Sequence, residues 1–227
     1  WARNDDGQLI LQKLNPAAGK EVNNVGEVRP TWEINDNKLV GNVQPDLTGG
    51  FNTSLRIKDF TLSAALDYVI GGQMVSWTNM WGSGSGLLDV TAAVNDRGVN
   101  VREPVQKGGG VHISGVDKDG NALDGYIDAA YYYQYKYQYD NDGWMYDRTY
   151  VKLREVSLRY DVPRSFMSKI KGVSRASIAF VATNPWLIYS ACPNIDPSEL
   201  GGASYNFLEG GQAVSTRSFG LSLNVTF

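Results

Sequence analysis

From Phe219 to the last residue the chain alternates without an error. Phe219, Leu221, Leu223, Val225 and Phe227 are apolar, while Gly220, Ser222, Asn224 and Thr226 between them are polar or small. A period of two places the two sets on opposite faces of a strand, whereas a helix would scatter both around its circumference. Leu47, Gly49, Phe51, Thr53, Leu55 and Ile57 likewise share one face, opposed by Thr48, Gly50, Asn52, Ser54 and Arg56. Phe60, Leu62, Ala64, Leu66, Tyr68 and Ile70 then form a further face. Only Lys58 and Asp59 separate these two runs, which predicts a tight hairpin.

Val156, Leu158, Tyr160 and Val162 alternate with Ser157, Arg159 and Asp161. Just upstream, Val151 and Leu153 have the opposite parity, so a bulge or a membrane boundary is expected near Arg154 and Glu155. Pro163 ends this strand. Residues 164–174 form a turn with some helical character around 165–170, and Ile178, Phe180 and Ala182 resume the alternation until Asn184-Pro185 interrupts it.

Strand length points to a membrane. Eleven residues extend roughly 36 Å. Tilted about 40°, they rise roughly 28 Å, close to the roughly 25 Å apolar band of an outer-membrane barrel. Soluble strands are usually nearer half that length. The connections also alternate between short ones (Lys58-Asp59 and residues 164–174) and long ones, at about residues 73–146 and 191–216. Outer-membrane barrels have this asymmetry, with short periplasmic turns and long extracellular loops. The expected fold class is all-β, a membrane-spanning antiparallel β-barrel. Its apolar faces would meet lipid and its polar faces a wet lumen, with Arg56, Asp67 and Arg159 on the lumen side.

Composition adds exclusions. The 227 residues carry 21 basic and 24 acidic side chains, and no basic stripe marks a nucleic-acid footprint. No stretch approaches the roughly 18 apolar residues of a membrane helix. The 13 Tyr, 6 Trp, 7 Phe and 25 Gly suit strands joined by many turns. A lone cysteine, Cys192, allows no internal disulfide and is read as a structural thiol. The lone histidine, His112, is read as a loop residue, and no nucleophile elbow accompanies it to suggest a catalytic triad. Asp117-Lys118-Asp119-Gly120-Asn121 resembles the start of a calcium loop. Its twelfth position is Asp128 rather than Glu and no flanking helix is evident, so a simple turn is favoured. No pair of carboxylates is spaced for catalysis. No enzyme, cofactor or metal site is expected.

Tyr131, Tyr133, Tyr135, Tyr137 and Tyr139 occupy every second position. They are read as an interfacial girdle or a packed extracellular ribbon, with a sugar-stacking platform as the sharper alternative. Trp77, Met80 and Trp81 follow a strand near the expected outer interface, again as girdle or loop packing. The candidate substrate or loop contacts are therefore Trp77, Trp81, Tyr131, Tyr133 and Tyr135.

The stretch Tyr150-Val-Lys-Leu-Arg-Glu-Val-Ser-Leu-Arg-Tyr160 resembles the late-strand signature of SusC/RagA-type TonB-dependent transporters of Bacteroidetes. Further family-like pieces follow the same order. They are Val40-Gly-Asn-Val-Gln-Pro-Asp46 with Gly49-Gly50-Phe51, then Gly71-Gly72, Asn184 ahead of an apolar aromatic run, Asp196-Pro197, and the end from Gly220 to Phe227. One departure is that Ala182-Thr183, rather than the usual Gln, precedes Asn184. The resemblance implies a barrel of roughly 22 strands, of which these residues would supply roughly five to seven. It also implies that the terminal strand, with Phe219, Leu221, Leu223, Val225 and Phe227, is the signal read by the barrel assembly machinery.

By the same resemblance, the plug and N-terminal domains lie outside these residues. Trp1 opens the chain without an initiator Met, and a piece of something longer is expected. The implied function is energised import of an oligosaccharide or peptide across the outer membrane. A SusD-like surface lipoprotein and TonB, acting through the plug, would be the partners. A soluble β-sandwich that binds carbohydrate and a passive outer-membrane porin are the alternatives.

Overall fold

The structure, a computed structural model, describes residues 1–14, 28–34, 37–200, 207–210 and 213–227. Its strands in chain order are β1 (Leu11–Lys13), β2 (Val28–Pro30), β3 (Leu47–Ile57), β4 (Phe60–Ile70), β5 (Gln73–Ser76), β6 (Val111–Val116), β7 (Ala122–Ile127), β8 (Met145–Asp147), β9 (Tyr150–Asp161), β10 (Arg175–Ser190), β11 (Leu208–Glu209) and β12 (Ser218–Thr226). The helices are α1 (Trp77–Gly84), α2 (Ala129–Tyr139) and the single turn α3 (Arg164–Met167). The chain divides into two compact units, one of Trp1–Val40 with Ser76–Met145, the other of Gly41–Val75 with Tyr146–Phe227.

The second unit is the wall. Its long strands form an antiparallel sheet in the order β12-β10-β9-β4-β3. β3 and β4 pair from Leu47↔Ile70 to Ile57↔Phe60, and Lys58 takes a left-handed φ of 54° in the two-residue turn between them. At the far end of β4, Gly71 and Gly72 have φ of 71° and 77°. A Cβ on Gly72 would come within 3.0 Å of the Pro45 nitrogen, so only glycine fits there.

The parity break in β9 is a bulge. β4 partners jump from Ala65↔Glu155 to Leu66↔Leu153, leaving Arg154 over. β10 shifts at the same level, between Thr183 and Trp186, where Asn184 has φ of 48°. The interruption at Asn184-Pro185 therefore breaks the alternation but not the strand, and β10 runs on for 16 residues.

Among the described residues the sheet does not close. β3 and β12 are its two edges, and in place of the expected barrel the described residues form an open five-stranded sheet. β5, β8 and β11 form a small sheet in the order β11-β5-β8.

The first unit, by contrast, has a core. Leu11, Val28, Ile113 and Ile127 are buried together, with Leu9, Val111, Leu123, Tyr131 and Tyr132 packed against them. The hairpin β6–β7 and the short pair β1–β2 supply this cluster. Most of the predicted long loop at residues 73–146 is thus folded structure. Its tyrosine run is a helix, not a ribbon. A spacing of two also contains the spacing of four, and Tyr131 stacks on Tyr135 as Tyr135 packs on Tyr139. Asp128 caps the helix by accepting from the Tyr131 N–H at 3.1 Å.

Candidate functional site: the two faces of the wall

The register assigns every wall residue to a face. Leu55, Leu62, Leu158, Phe180 and Leu221 fall on one row across all five strands. They are exposed by 45–77%. Leu223, one row on, is likewise exposed. A contiguous apolar face of this size is foreign to a water-facing surface and marks contact with lipid or another protein. Each of Phe219, Leu221, Leu223, Val225 and Phe227 is exposed, and the first four lie on β12. Among the described residues β12 pairs through its β10 side alone.

The opposite face is charged, and near the bulge one of its charges is buried. Lys152, opposite Asp67 in the register, is only 1% exposed. Its three N–H groups are shared among Asp196 Oδ2 at 2.6 Å and Ser198 Oγ, Glu199 Oε1 and Ser215 Oγ at 3.0 Å each. Arg154, thrown out by the bulge, forks onto Asp67 with two hydrogen bonds of 2.9 Å and reaches Glu199 at 3.5 Å. Tyr150 donates to Asp67 at 3.3 Å.

A buried ammonium is tolerable only when its charge and its donors are both satisfied. Here both are, by the segment that follows β10. Burial alone would raise the Asp196 carboxyl, but hydrogen bonds from Lys152 and Ser198 outweigh it and hold the group below the usual aspartate value. The arrangement can fasten a loop to the polar face of the wall. The sequence pointed to both partners, in the Tyr150–Tyr160 stretch and in Asp196-Pro197, but not to their meeting across 44 residues.

The aromatic candidates lie in the first unit. Trp77 and Trp81 sit one turn apart on α1 with ring centroids 5.1 Å apart, and Trp81 is exposed. Tyr133 donates to the Val90 carbonyl at 2.6 Å, and Tyr131 accepts from Arg29 at 3.0 Å. Tyr135 is buried among Trp1, Tyr131 and Tyr139, so its faces are taken by neighbours. Burial also pushes the neighbouring Tyr132 hydroxyl up to about 12.

His112 is on β6, not in a loop. Its Nδ1 lies 3.0 Å from Asp96 and its Nε2 2.8 Å from Asp124, and its ring stacks on Tyr126. A hydrogen bond from Tyr126 is the main cause that lowers the Asp96 carboxyl. No sequence signal announces this cluster, since its members are spread over residues 96–126. Asp117 occupies the β6–β7 turn, where its Oδ1 accepts from the N–H groups of Asp119 and Asn121. Among the described residues, no group of three or more His, Cys, Asp or Glu side chains is placed to hold a metal ion. Cys192 is buried.

No family model matches the chain. A TonB-dependent receptor, P3, of Formosa agariphila is 26% identical over 199 residues, which is 85% of this chain and 17% of the receptor. Among solved structures, the RagAB peptide importer in its "closed-closed" state superposes with a TM-score of 0.58 at 16% identity, over 97% of this chain and 22% of that one. A second structure, of the RagAB peptide transporter, gives 0.57 at 13% identity over the same shares. The chain thus spans about a fifth of the proteins it matches, and at these identities the solved structures speak for the fold alone. These relatives are a receptor and an importer, not enzymes. The open sheet corresponds to part of a barrel wall, and the chain is similar, in sequence and in fold, to SusC/RagA-type TonB-dependent transporters.

Proposed function

We propose that this chain builds part of the wall of an outer-membrane β-barrel, and that the whole protein is a TonB-dependent transporter. Its cargo would be a bulky nutrient, an oligosaccharide or a peptide. A SusD-like surface lipoprotein would cap the outer loops, and TonB would act through a plug lying outside these residues.

The observation that carries this reading is the inversion of the sheet. The Leu55-to-Leu221 row is exposed while Lys152 on the other face is buried. A lipid exterior and a wet interior make that arrangement stable, because the apolar band then leaves water and the charges keep their partners. A β-sandwich would instead bury Leu62 and Leu221 in a closed core, and both are exposed. In this scheme the β12 residues Phe219, Leu221, Leu223 and Val225, with terminal Phe227, present the assembly signal. Trp77, Trp81, Tyr131 and Tyr133 belong to the extracellular unit.

The test is to express the full-length protein with its export signal and fractionate the cells. The expected product sediments with outer membrane, needs detergent for extraction, and shows the heat-dependent gel shift of a folded barrel. Recovery as a soluble monomer without detergent would overturn the reading.

A further inference from the structure

The polar face of the wall ends in a second charged region, at the edge where the turns are short. The register sets Arg56 and Arg159 on one row, on either side of Thr61. Asp161 is two residues beyond Arg159 on β9, Arg164 opens α3, and Arg175 starts β10 opposite Thr226. Together with Asp59 these side chains line a cavity of about 620 Å³.

The charges in this cavity are not balanced. Four arginines face two aspartates. Asp161 accepts from Arg159 at 2.8 and 2.6 Å and lies 3.5 Å from Arg56, so two guanidinium groups share one carboxylate. Arg164 and Arg175 have neither a hydrogen bond nor an ion pair from their side chains among the described residues. Two unspent forks in a concave lining are what planar, bidentate recognition of an oxyanion requires. The volume falls within the range of ordinary small-ligand sites. Ser177, nearly buried in the lining, and Asn224 add neutral hydrogen-bonding groups.

We propose that this cavity binds an oxyanion — phosphate, sulfate or a carboxylate group — with Arg164 and Arg175 as its principal cations. The inference rests on the geometry of the wall and does not need the transport reading. Arg56 and Arg159, whose forks are partly spent on Asp161 and the Lys58 carbonyl, contribute less. The site is open to solvent, so its affinity falls as ionic strength rises.

The test uses the full-length protein purified in detergent and titrated calorimetrically with inorganic phosphate, sulfate and citrate at low, matched ionic strength. Saturable binding of at least one probe is expected. Arg164→Gln with Arg175→Gln should weaken it by about tenfold, since two solvent-screened charge pairs are lost together. Arg164→Lys with Arg175→Lys should fall between, because lysine keeps the charge and loses the fork. Binding of phosphate or sulfate assigns a tetrahedral oxyanion, binding of citrate alone assigns carboxylates, and either supports the site. The gel shift verifies that each variant is folded. If no probe binds, because carboxylates elsewhere in the polypeptide already fill the cavity, or if the glutamine pair binds as well as the native protein, the proposal falls.

Discussion

The two units of this chain bury opposite things. The first hides Leu11, Val28, Ile113 and Ile127 and leaves most of its charges at the surface. The wall exposes Leu55, Leu62 and Leu221 and hides Lys152. The same apolar chemistry serves both, because what decides the side on which a leucine sits is the solvent it meets. In water the hydrophobic effect collapses apolar groups inward. A sheet with lipid on one side has no such force on that side, and its stability is set instead by pairing every polar group on the other.

The comparison can be broken most severely at Lys152. Replacing it with Met leaves Asp196 and Glu199 facing each other without the ammonium that joins them. Removing one partner of a buried ion pair typically costs about 3–5 kcal/mol. The expected result is loss of the folded, heat-shifting species. In any folded fraction, the Asp196–Glu199 segment should become sensitive to protease. An unchanged gel shift and unchanged proteolysis would show that the network carries no load. Next in size is Leu62→Arg. A charge on the lipid face costs about 2–4 kcal/mol near the midplane, read as a loss of barrel refolding into lipid vesicles. If the face met water, the same change would be close to neutral. Smaller still is Ile127→Val in the first unit, which removes one methylene from a closed core. It should cost about 0.5–1.5 kcal/mol, measured as a shift in the urea midpoint of that unit and not of the wall.

How much of this was legible follows the same division. In the wall, period-two alternation is direct evidence, because each strand has one apolar and one polar side. It placed the ends of β3 and β4, and a single change of parity left a bulge or a membrane boundary near Arg154 and Glu155, of which the register shows the bulge. It also marked the break at Asn184-Pro185, where a register shift interrupts the alternation without ending the pairing. In the first unit the pattern misled. Tyr131, Tyr135 and Tyr139 satisfy a strand's spacing and a helix's at once, and the Asp128 cap decided for the helix. The ionic clasp was hidden for a different reason. Lys152 and Asp196 are each polar residues in plausible places, and only the return of the chain after β10 brings them to 2.6 Å.

The smallest expected effect concerns acid. Asp196 has its carboxyl held below 3.8 because the hydrogen bonds from Lys152 and Ser198 exceed the opposing effect of burial. Its folded value lies under its unfolded one, so the folded state holds fewer protons in the interval between them. The stability it contributes is complete above about 3.8 and is lost as pH falls through the depressed folded value. Asp117, in the β6–β7 turn, is lowered as well, chiefly by the Asn121 side chain, but it is fully exposed. Solvent screens such a group, and its linkage to stability is correspondingly weak. Asp196→Asn should therefore flatten the acid limb of wall stability below about pH 4, whereas Asp117→Asn should leave the first unit's profile nearly unchanged. Urea titrations of both variants across pH 3 to 6 make the measurement. Equal flattening in the two would mean that the clasp is no more desolvated than a surface turn, and the contrast between a dry interior charge and a wet one would be lost.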